Sequence, residues 1–150
     1  MCGVAGEYFV AAELSRRGYI ASITLRNTRG VDILASNRDA TRSVAIQVKA
    51  NQRGTPEWIL NEKIEREEEV SDGLPENLFF VFVSIPPSGA PPSYHVVSRC
   101  EVSRLAREGH ERWLASPGRS GRPHSTNNPI RKFKDFEGRY LGAWSSLGLD

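Results

Sequence analysis

The sequence predicts a mixed α/β fold, one central sheet with helices against its faces. Three observations support that class. Apolar residues recur at helical spacing over 4–18 and again over 100–115. Short runs rich in β-branched residues lie at 19–27, 31–36, 43–50 and 93–98. Finally, "NLFFVFVSI" (77–85) is almost continuously apolar, as a central strand buried on both faces must be. Helical and strand patterns taking turns along one chain read as helices packed on a sheet.

The elements follow in order. The helix over 4–18 closes at Gly18, a residue that tolerates the left-handed backbone on which helices end. "YIASITLRN" (19–27) is the next strand. Strands 31–36 and 43–50 are joined by a six-residue, largely polar loop, Asn37 to Arg42, as an antiparallel hairpin. "TPEWILNEKIEREEEVSDG" reads as a capped helix, with Thr55 as N-cap and Pro56 in the first helical position. "PPSGAPP" is a stiff loop between strands 77–85 and 93–98. "CEVSRLAREGHERWLA" is a helix with Val102, Leu105, Ala106, Gly109 and Trp113 on one stripe. Arg104 with Glu108, and Arg107 with Glu111, are spaced as i, i+4 ion pairs on its other side. Residues 116–129 are too rich in Ser, Gly, Pro and Asn for regular structure. Phe133, Phe136, Tyr140, Trp144 and Leu147 then recur at helical intervals, so the last segment is expected to pack back as a short helix. No internal repeat breaks the chain, and residues 1–150 read as one domain.

At 150 residues, 39% hydrophobic and 25% charged, the chain has the make-up of a globular domain. No apolar run approaches the roughly 20 residues that span a bilayer. "MCGVAGEYF" lacks the features of a secretory signal, and a cytoplasmic location is expected. Cys2 and Cys100 are too few for a disulfide framework, and their spacing with His95, His110 and His124 matches no zinc pattern. The net charge of +2 is unevenly spread: +3 over 1–50, −5 over 51–98, +5 over 99–140. Such segregation permits a basic face for a phosphate backbone, and equally an ordinary solvated one.

Polar groups on apolar strands carry the chemical interest. In "GVDILASNRDATRSVAIQVKAN" (30–51), alternation puts Val31, Ile33 and Ala35 on one face and Asp32, Leu34 and Ser36 on the other. On the next strand Val44, Ile46, Val48 and Ala50 lie opposite Ala45, Gln47 and Lys49. If Ser36 pairs with Ser43, Asp32 faces Gln47 with Lys49 one step along. On the first helix, with Glu7 at zero, Leu14 falls at about 340° and Ala11 at about 40°. Glu7 therefore projects from the packing face, where a carboxylate needs a cation, a metal or a donor. One divalent ion between helix and hairpin would serve Glu7 and Asp32 together; an Asp32–Lys49 salt bridge with Gln47 bonding across the hairpin is the plainer reading.

"GEYFVAAEL…RNTRGVDILAS…VAIQVKAN" resembles the core of the PD-(D/E)xK nucleases, the superfamily of type II restriction enzymes and archaeal Holliday-junction resolvases. The likeness covers about 3–51 and continues plausibly to 98; 99–150 stands outside it as a C-terminal helical extension. It implies a restriction-endonuclease-like αβββαβ core with a central mixed sheet. It also implies Asp32 as the metal-binding acid, Gln47 at the Glu/Asp position, Lys49 as the lysine and Glu7 as the helix carboxylate. The Val48 carbonyl would join Asp32, Glu7 and Gln47 around Mg²⁺, for which Mn²⁺ can substitute. Val31 stands where many members have proline, and Gln47 where many have Glu; Mrr-type restriction enzymes share that glutamine. Losing one anionic ligand weakens metal affinity unless Glu7 compensates.

The implied activity is metal-dependent hydrolysis of DNA phosphodiesters, leaving 5′-phosphate, in restriction, repair or recombination. A homodimer would suit cutting of both strands. RNA as substrate stays open, as does a non-catalytic member of the fold that binds nucleic acid or a partner protein. Basic residues expected at a nucleic-acid surface are Arg26, Arg29, Arg53, Arg119, Arg122, Arg131, Lys132 and Lys134. Trp58, Trp113 and Trp144 are expected in the core, and no histidine is placed to form a triad.

Overall fold

The computed structural model describes residues 2–25, 30–65, 77–118 and 120–150. In chain order it contains α1 (Cys2–Arg16), β1 (Ile20–Ile23), β2 (Ile33–Ser36), β3 (Ser43–Asn51) and β4 (Glu57–Asn61). A 3-10 turn at Glu62–Glu65 precedes β5 (Leu78–Ser84), β6 (Ser93–Ser98), α2 (Arg99–Ala115), β7 (Ile130–Lys134) and another 3-10 turn at Trp144–Leu147. Five strands form one sheet in the order β1-β2-β3-β5-β6, antiparallel except for the parallel β3–β5 pair. The expected mixed α/β fold with a central mixed sheet between helices is borne out. No helix among the described residues is long and apolar enough to cross a membrane.

One face of the sheet carries α1. Val10 and Leu14 are fully buried against Ile33, Ile46, Val48 and Val81. Gly6 brings this helix close: a Cβ there would lie 2.7 Å from the Ala50 Cβ and 3.3 Å from a Val48 methyl. Gly6→Ala is therefore expected to force α1 away from β3 and to cost about 1–3 kcal/mol, as overpacking does. A lowered urea midpoint with unchanged slope would register it; an unchanged midpoint would contradict the close approach.

The other face is covered by α2 and by a two-stranded ribbon, β4 with β7. Phe82 stacks on Phe133 at 4.1 Å between ring centroids and meets Trp58 at 5.2 Å. The buried Trp58 indole N–H donates to the Val83 carbonyl at 3.1 Å, so its polar edge is satisfied.

The ribbon corrects two expectations. The helix expected from Thr55 is a strand, because Trp58 and Leu60 are buried while Ile59 between them is exposed, a period of two. Residues 66–73 of that expectation lie outside the described residues. The helix expected near the C-terminus is also replaced. Arg131, Phe133 and Asp135 are buried and alternate with exposed Lys132 and Lys134, and Phe136 is 67% exposed. Gly138 and Gly142 have φ of +68° and +64°, which ends any helical course between Tyr140 and Trp144. The C-terminal segment is also more than a helical extension: Trp144, Leu147 and Leu149 join the α1-side core, and Phe133 joins the other.

α2 forms as expected, with Ser98 as N-cap accepting from the Glu101 amide at 3.4 Å. Arg104 bridges Glu101 and Glu108, whereas Arg107 donates to the Glu65 carbonyl and leaves the expected pair with Glu111 unformed. Hydrogen bonds from Arg104 and from the Tyr140 hydroxyl hold the Glu101 carboxyl down to about 2. Burial, then the bond to Glu101, pushes the Tyr140 phenol up to about 12. Glu101 thus contributes stability above its ordinary 4.5, and that contribution is lost as pH falls from 4.5 toward 2. The gap in stability between the native chain and Glu101→Gln is expected to narrow over that window. A gap that stays constant with pH would remove the carboxylate from the account.

Candidate active site

The site begins where β2 ends. The register places Ser36 opposite Ser43 and Ile33 opposite Ile46, the pairing read from the sequence. Beyond Ile33 the ladder becomes irregular. The Asp32 amide donates to the Ile46 carbonyl at 2.9 Å, so Asp32 and Ile33 both address Ile46. Two residues against one is the count of a β-bulge, which re-aims a side chain. Gly30, at φ +70°, supplies the turn that leads into it. The Thr24 hydroxyl pins the entry by donating to the Val31 carbonyl at 2.6 Å.

One consequence corrects the face assignment. Val31 does not share a face with Ile33; it packs with Ala45 and Leu78 on the side away from α1, while Ile33 lies under α1. Asp32, between them, turns toward the rim of β3. Its Oδ2 accepts from the Val48 amide at 2.7 Å. Successive amides of a strand point to alternate neighbours. The Ala45 amide bonds to Asn77 on the β5 side, and Val48 accordingly faces the side that β2 has vacated. Its carbonyl points to that same rim, beside the Asp32 carboxylate. The second Asp32 oxygen has no hydrogen-bond or ion-pair partner among the described residues.

Gln47 and Lys49 flank Val48 and, by alternation, lie on the face away from α1, next to Phe80 and Phe82 of β5. Both are half-buried. No salt bridge joins Asp32 to Lys49, and Lys49 makes no hydrogen bond or ion pair among the described residues. The plainer reading of a structural Asp32–Lys49 bridge is therefore not what the fold adopts. Glu7 approaches from the opposite face: Gly6 seats the first turns of α1 over Val48 and Ala50, the same end of β3 that holds Asp32. Glu7 is half-buried and carries an interaction of its own. Asp32 and Val48 are thus in direct contact, with Gln47 and Lys49 below the sheet and Glu7 above it.

Among the described residues, no three His, Cys, Asp or Glu side chains gather as a metal-binding group. A cation here would rest on two carboxylates supplemented by amide and carbonyl oxygens. That all-oxygen donor set suits a hard ion such as Mg²⁺, which keeps several waters and accepts one or two carboxylates.

The basic residues fare unevenly. Arg53 and Arg122 are exposed. Lys132 and Lys134 share Glu57, at 2.8 and 3.5 Å. Arg131 is no free clamp: it is 8% exposed and its guanidinium is bonded to Glu65 and to the Asn128 carbonyl. Arg26, Arg29 and Arg119 lie outside the described residues. Trp58 and Trp144 are core residues as expected, while Trp113 is half-buried and lines a groove instead. The sequence reading also missed the buried His95–Asp135 contact at 2.6 Å. Asp135 accepts there from the Arg139 and Tyr140 amides too, which makes it the organiser of a turn rather than part of a triad. The only hint in the sequence was the alternation through Arg131, Phe133 and Asp135.

No family model and no curated protein matches the chain. Among solved structures it is similar to a Holliday junction resolvase of the archaeal hyperthermophile Archaeoglobus fulgidus. The two share 16% identity over 89% of this chain and 84% of that one, with a TM-score of 0.48.

Proposed function

We propose that the protein is a metal-dependent endonuclease that hydrolyses DNA phosphodiester bonds, in restriction, repair or recombination. One observation supports the reading: a carboxylate, Asp32, is fastened by one oxygen to the Val48 amide at the rim of β3, and among the described residues its other oxygen is uncommitted and Lys49, next to Val48 in sequence, is unpaired. A half-buried acid and amine that decline to pair with each other are costly unless something else uses them. The order helix acid, strand acid, Gln-x-Lys also matches the PD-(D/E)xK pattern, with Gln47 in the variable place.

Asp32, Glu7, the Gln47 amide oxygen and the Val48 carbonyl would hold the cation. When bound, Mg²⁺ or Mn²⁺ supplies polarisation of the phosphate and a more acidic water. Asp32 is fixed in orientation by Val48, so its free oxygen needs no rearrangement to serve as a ligand. Lys49 orients the attacking water and offsets negative charge on the phosphorane-like transition state. The test is incubation with supercoiled, linear and branched DNA, with and without Mn²⁺; metal-dependent nicking is expected.

Metal binding has its own readout. At Mg²⁺ or Mn²⁺ a hundredfold above its Kd, the folded state gains about 2.7 kcal/mol, seen as a raised Tm. Asp32→Ala is expected to lose that response. No shift in the native chain would favour the second reading, a non-catalytic nuclease-fold protein that binds nucleic acid or a partner. That reading draws on one observation, the neutral Gln47 beside only two carboxylates.

A further inference from the structure

Between α2 and β7 lies a groove of about 660 Å³ that the hydrolytic reading does not use. Its walls carry Arg112, Arg131, Lys132 and Lys134, together with His110 and Trp113, and among the described residues no Asp or Glu lines it. Three rings stack at Trp113, and of these His110 and Trp113 line the groove. His124, from the loop after α2, lies on Trp113 at 3.9 Å and 24°, and His110 meets the same indole at 5.4 Å and 23°. The floor is partly apolar, formed by Leu105 and by Ile130, which is 48% exposed.

We infer that this groove binds an unpaired nucleic-acid strand, bases against the Trp113 stack and phosphates along β7 and Arg112. The chemistry is specific to that class. A cationic track alone would take any polyanion, and an aromatic floor alone any apolar partner. Their combination fits a chain that alternates anions with flat rings, and unpaired bases expose the faces that a duplex has already stacked. The cations are available for it. Lys132 and Lys134 divide one carboxylate, Glu57, in exposed pairs worth little. Among the described residues Arg112 hydrogen-bonds only to the Glu108 carbonyl, at 3.3 Å. Arg131, locked to Glu65, shapes the wall rather than gripping phosphate. The inference does not depend on hydrolysis at Asp32.

Intrinsic fluorescence tests it directly. Trp58 and Trp144 are each 3% exposed, so Trp113 is the indole a ligand in the groove can reach. The protein is used as Asp32→Ala, which separates binding from any cleavage. Titration with oligothymidylate of about 16 nucleotides, with the matching oligouridylate, and with a duplex of equal length is expected to quench Trp113 most strongly with a single strand. The tighter of the two single strands identifies the sugar. Trp113→Ala should weaken single-strand binding about tenfold, one stacked base's worth, and Trp113→Phe should restore most of it. Lys132→Gln with Lys134→Gln, both on the surface, should lower the salt dependence while leaving the quench at saturation. Equal affinity for duplex, no loss in Trp113→Ala that is folded by circular dichroism, or full displacement by inorganic tripolyphosphate would each overturn the assignment.

Discussion

Asp32→Ala is expected to reduce Mn²⁺-dependent nicking of supercoiled DNA by at least about a hundredfold, the scale on which single preorganised electrostatic groups act. The same substitution removes the acceptor for the Val48 amide. That bond is part-buried and single, so the loss of stability should stay near about 1 kcal/mol. Lys49→Ala makes the cleaner comparison, because Lys49 holds no hydrogen bond or ion pair among the described residues that its removal would break. It should leave the urea midpoint almost unmoved and depress nicking as severely. The two together distinguish chemistry from folding. Loss of activity in both, with a folded Lys49→Ala protein, is the expected pair of results; an active Lys49→Ala enzyme would take the ammonium out of the mechanism.

Phe82→Ala is expected to have the largest effect on stability, about 3–5 kcal/mol. Phe82 is fully buried at the centre of the ring cluster, stacked on Phe133 at 4.1 Å and on Phe80 at 5.7 Å, with Trp58 tilted against it. Removing it opens a void that rigid rings on several sides cannot close. Since domains of this size hold only about 5–15 kcal/mol in all, a large part of the native margin would go. Guanidinium unfolding followed by Trp58 fluorescence would measure it. A cost below about 1 kcal/mol would mean that the β4–β7 ribbon is not fastened through this residue.

Local pattern was enough for elements whose partners are near in sequence or whose burial is one-sided. β2 and β3 pair across six residues, and the register taken as a condition in reading the sequence, Ser36 with Ser43, is the one adopted. β5 announced itself by being apolar on both faces, and α2 by its apolar stripe. β4 and β7 were illegible for a shared reason: each is a strand only because the other is there, some seventy positions away. Thr55–Pro56 supplied genuine helix-start chemistry that distant pairing overrode. At the candidate site the residues were legible but their aim was not. A strict alternation placed Val31 beside Ile33, and only the bulge at Asp32 reveals that the acid faces the rim of β3 and not a flat sheet face.

The parallel pairing of β3 with β5, and the antiparallel pairing of β4 with β7 near the chain's end, have a kinetic meaning. Neither ladder can zip from a tight turn; each must wait for a long loop to close before its contacts repay the entropy. Refolding from denaturant should accordingly take milliseconds to seconds, with the β1–β3 meander and α1 organised first and the aromatic cluster last. The late-forming half is the one that carries the groove and the ribbon. During synthesis, therefore, Phe80, Phe82 and Trp58 stay uncovered until residues 130–134 have emerged, an interval in which chaperone binding would be at its greatest.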